Sequence, residues 1–256
     1  MKIGILGGIH EDITRLREAL EVLDRKGCAE LVCLGDIVGY STPFYGYPDA
    51  RDAHACIALV RERCRHVVAG NHDLFAARRL PEHTTFRYPP DWYELPPARQ
   101  AATSQDAVWL YEDEATTDLG SEDIAYLRSL PEYVVAEYEG TKLLLSHYAY
   151  PNLVGDGVAF DPSENGGIRH HFEFMAERGC YLAVFSHDLG TGVRIFTEGG
   201  LEELPFGSHR LPEGTVALNG SWVANGTDPN GVLVLDLAAR TVDAIPLNTP
   251  PHVSSR

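Results

Sequence analysis

The sequence predicts an α/β protein: two β-sheets in one domain, with helices on the outside. Three observations predict it. The first 70 residues alternate short apolar runs with longer segments of helical period, in the order β-α-β-α-β. From residue 132 onward the pattern turns to strand-like segments interrupted by one helix. Apolar runs in both halves end in glycine or serine followed by histidine, aspartate or asparagine, as ligand sites do at the carboxyl ends of strands.

Ile3–Leu6 reads as a buried strand. Asp12 can cap a helix with apolar positions Ile13, Leu16, Leu20 and Leu23, and Gly27 stops it. Leu31–Leu34 is a second strand, Asp49–Cys64 a second helix, and His66–Ala69 a third strand. This order predicts parallel pairing with right-handed crossovers. Residues 80–100 differ in character: Pro81, Pro89, Pro90, Pro96 and Pro97 lie among Phe86, Tyr88, Trp92 and Tyr93. Proline excludes a regular helix there, so the segment reads as an ordered excursion over the surface, a lid or a packed loop. Helices are expected near 101–112 and 121–130, the second capped by Ser121. Strands follow at Tyr133–Tyr138, Lys142–Ser146, Tyr181–Phe185, Gly192–Phe196, Thr215–Leu218, Gly231–Leu235 and Thr241–Pro246. One helix interrupts them at Glu164–Arg178, with Gly179 as its stop. There is no internal repeat. A single domain covers 1–248, and the tail 249–256 is expected to fray.

Composition narrows the partners. The 256 residues are 44% apolar and 23% charged, an ordinary globular balance with enough chain for a real core. Asp and Glu number 37 against 21 Lys and Arg, and that field repels a nucleic-acid polymer. A small anionic substrate stays open if a metal supplies local positive charge. Acidity for solubility explains the balance equally well. No run of 18 apolar residues indicates a membrane span, and no basic region precedes a long apolar run at the N-terminus. Cysteines 28, 33, 56, 64 and 180 form no CxxC and read as reduced, mostly buried thiols of a cytoplasmic protein. Nothing in the sequence fixes the oligomeric state.

Five strand ends carry the candidate chemistry. They are Gly7-Gly8-Ile9-His10, Gly35-Asp36-Ile37-Val38-Gly39, Gly70-Asn71-His72-Asp73, Ser146-His147 and Ser186-His187-Asp188. One such residue is ordinarily a cap or a turn; five at one edge are not explained by turn chemistry. Imidazole, carboxylate and amide oxygen together suit a divalent transition metal. The glycines at the first strand end also raise a phosphate-cradling turn, but Gly4, Gly7 and Gly8 do not fit GxGxxG.

These residues, in this order, resemble the calcineurin-like metallophosphoesterase family, whose pattern is DxH, GDxxG, GNHD, a lone His, then GHxH. GDIVG at 35–39 and GNHD at 70–73 match in full, His147 fits the lone His, and His187 fits the first His of the last motif. Asn219-Gly220-Ser221 is similar to a loop that family often carries near its site. The resemblance spans roughly residues 1–247. It implies a four-layer α-β-β-α sandwich of two mixed sheets flanked by helices, with two metals bridged by one Asp and a water. One metal position would take Asp36, Asn71, His147 and His187. The other would need the Asp and His of DxH, the bridging Asp36, and the second His of GHxH. Gly8 stands where that Asp should be and Leu189 where that second His should be, leaving His10 and Asp36. The resemblance also places His72 near the leaving group with Asp73 orienting it, a pair that fits general-acid work. His10 is then either a remaining ligand or a phosphate contact.

Both departures fall on the same metal position. One divalent ion (Mn, Fe or Zn) is therefore expected, and the second position keeps two ligands where three or more are usual. Glu11, Asp12, Asp188, His170, His171 and His209 are the residues that could rebuild it. Each has an ordinary role that comes first: Asp12 as helix cap, Glu11 solvated, His170 and His171 opening a helix, His209 in a loop. The reading is a metal-dependent hydrolase of a small phosphomonoester or phosphodiester. The alternatives are a hydrolysis-deficient binding or regulatory relative, and a repurposed mononuclear enzyme, with iron as one candidate ion. Residues 80–100 and Gly155–Gly167 are long and flank the site strands, so they are the expected specificity elements. Arg78 and Arg169 are cations within reach of a phosphate, with surface ion pairs as their ordinary role.

Overall fold

The computed structural model describes residues 1–42, 44–115, 118–164, 166–187, 191–220, 222–224 and 229–250. Asp188, Leu189, Ser221 and the tail after Pro250 lie outside the described residues.

The first sheet contains β1 (Lys2–Leu6), β2 (Glu30–Cys33), β3 (His66–Val67), β9 (Gly207–Arg210), β11 (Gly231–Asp236) and β12 (Thr241–Pro246). Its order is β3-β2-β1-β11-β12-β9, parallel across β1, β2 and β3 and antiparallel beyond. The second sheet contains β4 (Tyr133–Tyr138), β5 (Thr141–Ser146), β6 (Leu182–Phe185), β7 (Val193–Thr197), β8 (Gly200–Leu204) and β10 (Val216–Gly220). Its order is β4-β5-β6-β10-β7-β8, with β5, β6 and β10 parallel.

Side-chain alternation along the strands assigns the layers. Ile3, Ile5, Val32 and Leu34 of the first sheet pack against Leu143, Leu145, Val184 and Leu218 of the second, forming the core between sheets. The opposite face of the first sheet, with Leu6, Leu31 and Cys33, is covered by α1 (Ile13–Arg25) and α2 (Ala53–Arg63). The opposite face of the second, with Leu144, Ala183 and Phe185, is covered by Phe174 and Met175 of α6 (Ile168–Glu177). The result is the expected four-layer α-β-β-α sandwich. Asp12 caps α1 as expected, its carboxylate accepting from Arg15 N at 2.9 Å and pairing with the Arg15 guanidinium. All five cysteines are free.

Several elements differ from expectation. The second helix starts at Ala53, capped by Asp52, after a separate 3₁₀ turn at Pro48–Ala50. The GNHD turn opens a short helix, α3 (Asn71–Ala76). The helix expected near 101–112 is α4 (Pro97–Ser104), which begins within the stretch where proline excluded one and ends early. Pro97 sits in its first turn, where a missing N–H costs nothing. Gly120, not Ser121, caps α5 (Ser121–Ser129). Strands β8 and β9 were not expected; both are largely exposed and lack an apolar alternation to reveal them. Among the described residues, no helix is long and apolar enough to cross a membrane.

Candidate metal centre

The site forms where the parallel strands of both sheets end. The loops after β1 and β2 run side by side: Ile9 N and His10 N donate to Asp36 O at 2.7 and 2.9 Å, and Glu11 N donates to Ile37 O at 3.0 Å. Asp36 has a φ of +52°, which turns its side chain out of the strand direction and into the site. Gly70 has to be glycine, because a Cβ there would lie 2.1 Å from Asp36 Oδ1. In its place, His72 N donates to that oxygen at 3.1 Å. Asp73 ties the same loops together, accepting from Ile37 N, Val38 N and Gly70 N at 2.9, 3.2 and 3.0 Å.

Asp36, Asn71, His147 and His187 come together as the motifs imply. His147 Nε2 lies 3.1 Å from Asp36 Oδ2 and 3.0 Å from His187 Nδ1. One atom of the Asn71 amide lies 3.3 Å from both Asp36 Oδ2 and His147 Nε2, and 3.2 Å from Val154 O; the other lies 3.0 Å from the Tyr111 hydroxyl. Ligands about 2.1 Å from one tetrahedral ion sit about 3.4 Å from one another, so these spacings would admit a shared ion. His147 Nδ1 is 2.6 Å from Leu34 O, so the ring proton is at Nδ1 and the Nε2 lone pair points at the cluster. The Asn71 amide fits either way: with its NH2 toward Asp36, His147 and Val154 O and its oxygen accepting from Tyr111 it is fully hydrogen-bonded, and with its oxygen toward Asp36 and His147 it faces only acceptors, as a cation ligand does. The donor atoms of Asp36, His147 and His187 all lie within 4.8 Å of one another.

Electrostatics agree with the geometry. Burial alone would raise the Asp36 carboxyl, but the His147 and His72 imidazoles outweigh it and hold Asp36 well below the usual range. Burial, helped by His147, pushes His187 down to about 3, leaving a neutral ring suited to a metal. His147 itself is raised: burial lowers it, and the Asp36 carboxylate overcomes that.

The adjoining position is built differently. His10 Nδ1 is 3.0 Å from Gly39 O, and Nε2 is 3.0 Å from the Tyr45 hydroxyl. Both nitrogens therefore have protein partners, and Tyr45 also stacks on the ring at 4.4 Å. His10 Nε2 is 3.8 Å from Asp36 Oδ2, and His10, Asp36 and His72 have donor atoms within 4.8 Å of one another. Gly8 has a φ of +57°, and a Cβ there would lie 2.8 Å from Trp222 Cγ. Trp222 is held over it because Val223 N and Ala224 N donate to Gly7 O and Gly8 O at 2.8 and 2.9 Å. The room that an Asp side chain would need at position 8 is thus taken by an indole.

His72 is oriented by a residue the motifs do not name. Its Nδ1 lies 2.6 Å from Glu114 Oε2, whereas the Asp73 carboxylate is spent on the three backbone N–H groups. Burial would push His72 down, but Asp36 and Glu114 raise it to about 9. Burial and the Asp36 charge push Asp73 up to about 7. Glu114, Tyr45, Tyr111 and Trp222 were not picked out from the sequence. Glu114 follows two other acids in an aperiodic stretch, and nothing local distinguishes it.

Other candidates are not at the site. Glu11 is buried rather than solvated; its carboxylate accepts from Gly39 N at 3.1 Å and pairs with Arg51 at 2.8 Å. His171 is buried under Tyr150, whose N–H donates to Nδ1 at 3.0 Å, and His170 is exposed, 3.5 Å from Glu173. His209 is on β9 rather than in a loop, with Nε2 at 2.8 Å from Pro205 O. Arg78 forms the surface pair expected of it, with Glu94 at 3.3 Å.

Comparison with known proteins gives the same placement. Residues 1–165 match the model of the calcineurin-like phosphoesterase superfamily domain. An uncharacterized protein of Methanocaldococcus jannaschii is 23% identical over 166 residues, which cover 60% of this chain and 56% of that protein. The chain thus matches little more than half the length of that curated relative. The crystal structure of a metallophosphoesterase from Sphaerobacter thermophilus superposes with a TM-score of 0.66 at 18% identity, covering 97% of this chain and 89% of that one. A hypothetical protein of Pyrococcus horikoshii superposes at 0.59 with 17% identity, covering 98% and 88%. The fold likeness runs through both sheets, past the end of the family match. With two full motifs, a convergent donor set and this match, the chain belongs to the calcineurin-like phosphoesterase superfamily.

Proposed function

We propose that this chain is a metal-dependent hydrolase of a small phosphomonoester or phosphodiester, working with one divalent ion held by Asp36, Asn71, His147 and His187. One observation carries the reading: four neutral or anionic donors from separate strand ends lie 3.0–3.3 Å from their neighbours in the set. Imidazole nitrogens with a carboxylate and an amide oxygen fit Mn, Fe or Zn. When bound, such an ion polarises a phosphoryl oxygen and makes water acidic enough to attack near neutral pH.

The chain's own groups do the rest. Glu114 fixes the His72 tautomer and supports its protonated form, so His72 carries a proton at the ring nitrogen away from Glu114 and can pass it to a leaving oxygen. Proton transfer of this kind is worth typically about 10²–10⁴-fold. Asp73 acts through the backbone, holding the Asp36 and Asn71 loops in register. His10 is a neutral wall residue facing the substrate side rather than a ligand, since both of its nitrogens are engaged. The net charge of −16 favours a small substrate over a polyanion. Five free thiols suit the reducing cytoplasm.

The test is metal content and turnover together. Protein loaded with manganese is expected to keep one ion per chain and to hydrolyse aryl phosphate mono- or diesters, with His147→Ala losing both. Turnover no faster than that control overturns the hydrolase reading. A second reading, a binding or regulatory relative, is favoured by the indole over Gly8. It predicts one retained ion and tight phosphate binding without turnover.

A further inference from the structure

A pocket opens directly beside Asn71. Its wall carries Tyr88, Trp92, Tyr93, Trp109 and Tyr111, with Asp156 as its one acid. Residues 80–100, expected to be a lid or packed loop, supply Tyr88, Trp92 and Tyr93 to this wall. Tyr111 joins pocket to metal centre: its hydroxyl is 3.0 Å from the Asn71 amide, and its ring stacks on Phe75 at 4.4 Å. Its φ of +56° is costly for a bulky residue and fixes the ring between the two.

Asp156 is only 4% exposed. Oδ2 accepts from the Thr84 and Tyr88 hydroxyls at 2.6 and 2.8 Å, but Oδ1 is closed to solvent and has no hydrogen-bond partner. No Lys or Arg is among the lining residues. Of the nearby cations, Arg79 and His83 are turned toward Glu132, and Arg78 pairs with Glu94 and lies 5.6 Å from the Tyr93 ring centroid. A buried carboxylate with no counter-charge is costly, and a cation arriving in the pocket relieves that cost. Burial indeed raises the Asp156 carboxyl above its usual range. Trp109, which lines the pocket, is 47% exposed. An apolar side chain left in water there is suited to covering a ligand.

We propose that this pocket binds an organic ammonium group, and that the phosphate ester cleaved at the neighbouring centre is esterified to an alcohol carrying one. The second half rests on the hydrolase reading above. Aromatic faces attract cations through their quadrupoles, most strongly when the site is desolvated. A nucleobase, the obvious competitor, would draw on hydrogen bonds from the pocket wall, and the solvent-closed Oδ1 offers it none. A quaternary ammonium accepts no hydrogen bond from anything and donates none; it needs only the charge nearby.

The experiment titrates tryptophan fluorescence with choline and with its neutral isostere 3,3-dimethylbutan-1-ol. Choline is expected to bind about tenfold more tightly, a difference of about 1.4 kcal/mol. Asp156→Asn is expected to bring the two within about twofold, and Trp109→Ala to weaken choline severalfold. Thermal melts check that each variant folds; should Asp156→Asn fail to fold, the exposed Trp109 variant decides. Equal binding of choline and isostere, or adenosine binding ahead of choline, overturns the proposal. A second arm compares kcat/KM for phosphocholine and 3,3-dimethylbutyl phosphate on manganese-loaded protein, with tenfold preference for phosphocholine expected. Hydrolysis of aryl phosphates with no choline preference sinks the pocket and leaves the hydrolase standing. Choline-selective binding without any turnover does the reverse.

Discussion

Asp36 stands between two positions that have the same parentage and opposite construction. On one side, His147 and His187 present nitrogens 3.0 Å apart, and His147 is aimed by a backbone carbonyl. On the other, His10 spends both nitrogens on Gly39 O and Tyr45, and Trp222 lies over Gly8. The first side gathers side-chain donor atoms of several residues around one point, and the second side has tied its polar atoms to protein partners and filled the space. A ligand set that had simply decayed would leave unpaired polar groups and a void, both costly. The second position has instead been repacked. The one-ion reading proposed above rests on this asymmetry, and the comparison can be broken at either side.

The largest effect belongs to the first side. His147→Ala is expected to remove the retained ion and lower kcat/KM by at least about 10³-fold, because one ligand and its oriented lone pair go together. His10→Ala is expected to leave one ion per chain by elemental analysis. If both substitutions reduce metal content equally, the two sides are not different in kind. Next is His72→Asn, expected to cost about 10²–10⁴-fold in kcat with the ion retained. Glu114→Gln keeps a hydrogen-bond partner at Nδ1 but loses the charge, so a smaller loss of about tenfold is expected. Its readout is a shift of the alkaline limb of the pH–rate profile to lower pH, since Glu114 raises His72. An unmoved limb would mean that Glu114 only packs.

The two sides were also unequally legible in the sequence. Asp36, Asn71, His147 and His187 each follow an apolar run, so strand periodicity alone placed them at one edge, and the motifs supplied their partners. The resemblance sets Gly8 where the family pattern has an Asp. What takes up that room was not legible, because Trp222 reaches Gly8 through tertiary pairing of residues 222–224 with Gly7 and Gly8, far apart in sequence. Glu11 looked like a solvated acid beside a helix cap; Arg51, from the chain leading into α2, buries it. The family resemblance implied that Asp73 orients His72, but three N–H groups take up its oxygens, and Glu114 arrives from a loop with no pattern to mark it. The sheets followed the same rule. Strands with a buried face were readable by alternation, whereas exposed β8 and β9 were not.

Restoring the missing acid tests the second side directly. Gly8→Asp puts a side chain at φ +57° against Trp222, 2.8 Å from where its Cβ must go. The left-handed backbone and the overlap together are expected to destabilise by about 2–4 kcal/mol, read as a lowered denaturation midpoint. Adding Trp222→Ala should recover the overlap but not the backbone cost. Were the second position a vacant metal site, Gly8→Asp would instead raise the ion count toward two with little loss of stability.

The smallest effect is the most discriminating. If His10 is a wall residue, its imidazole is neutral, with Nδ1–H donating to Gly39 O and Nε2 accepting from the Tyr45 hydroxyl. Burial agrees, pushing His10 down to about 3. Tyr45→Phe then keeps the stacked ring and removes only the donor, leaving a buried nitrogen unsatisfied, at a cost of about 1 kcal/mol. The sign with pH follows from the depressed pKa. The unfolded chain binds a proton at His10 below about 6.5 and the folded chain does not, so this residue's contribution to stability is full above about 6.5 and declines as pH falls toward 3. Denaturant melts at pH 7.5 and 5 should show that decline in the wild type and lose His10's share of it in His10→Gln. Throughout, Tyr45→Phe should leave metal content at one and turnover within a few fold. If freeing Nε2 in this way raises the ion count, then the hydroxyl of Tyr45 is what keeps a metal out, and the repacking of the second side is an occupied lock rather than a wall.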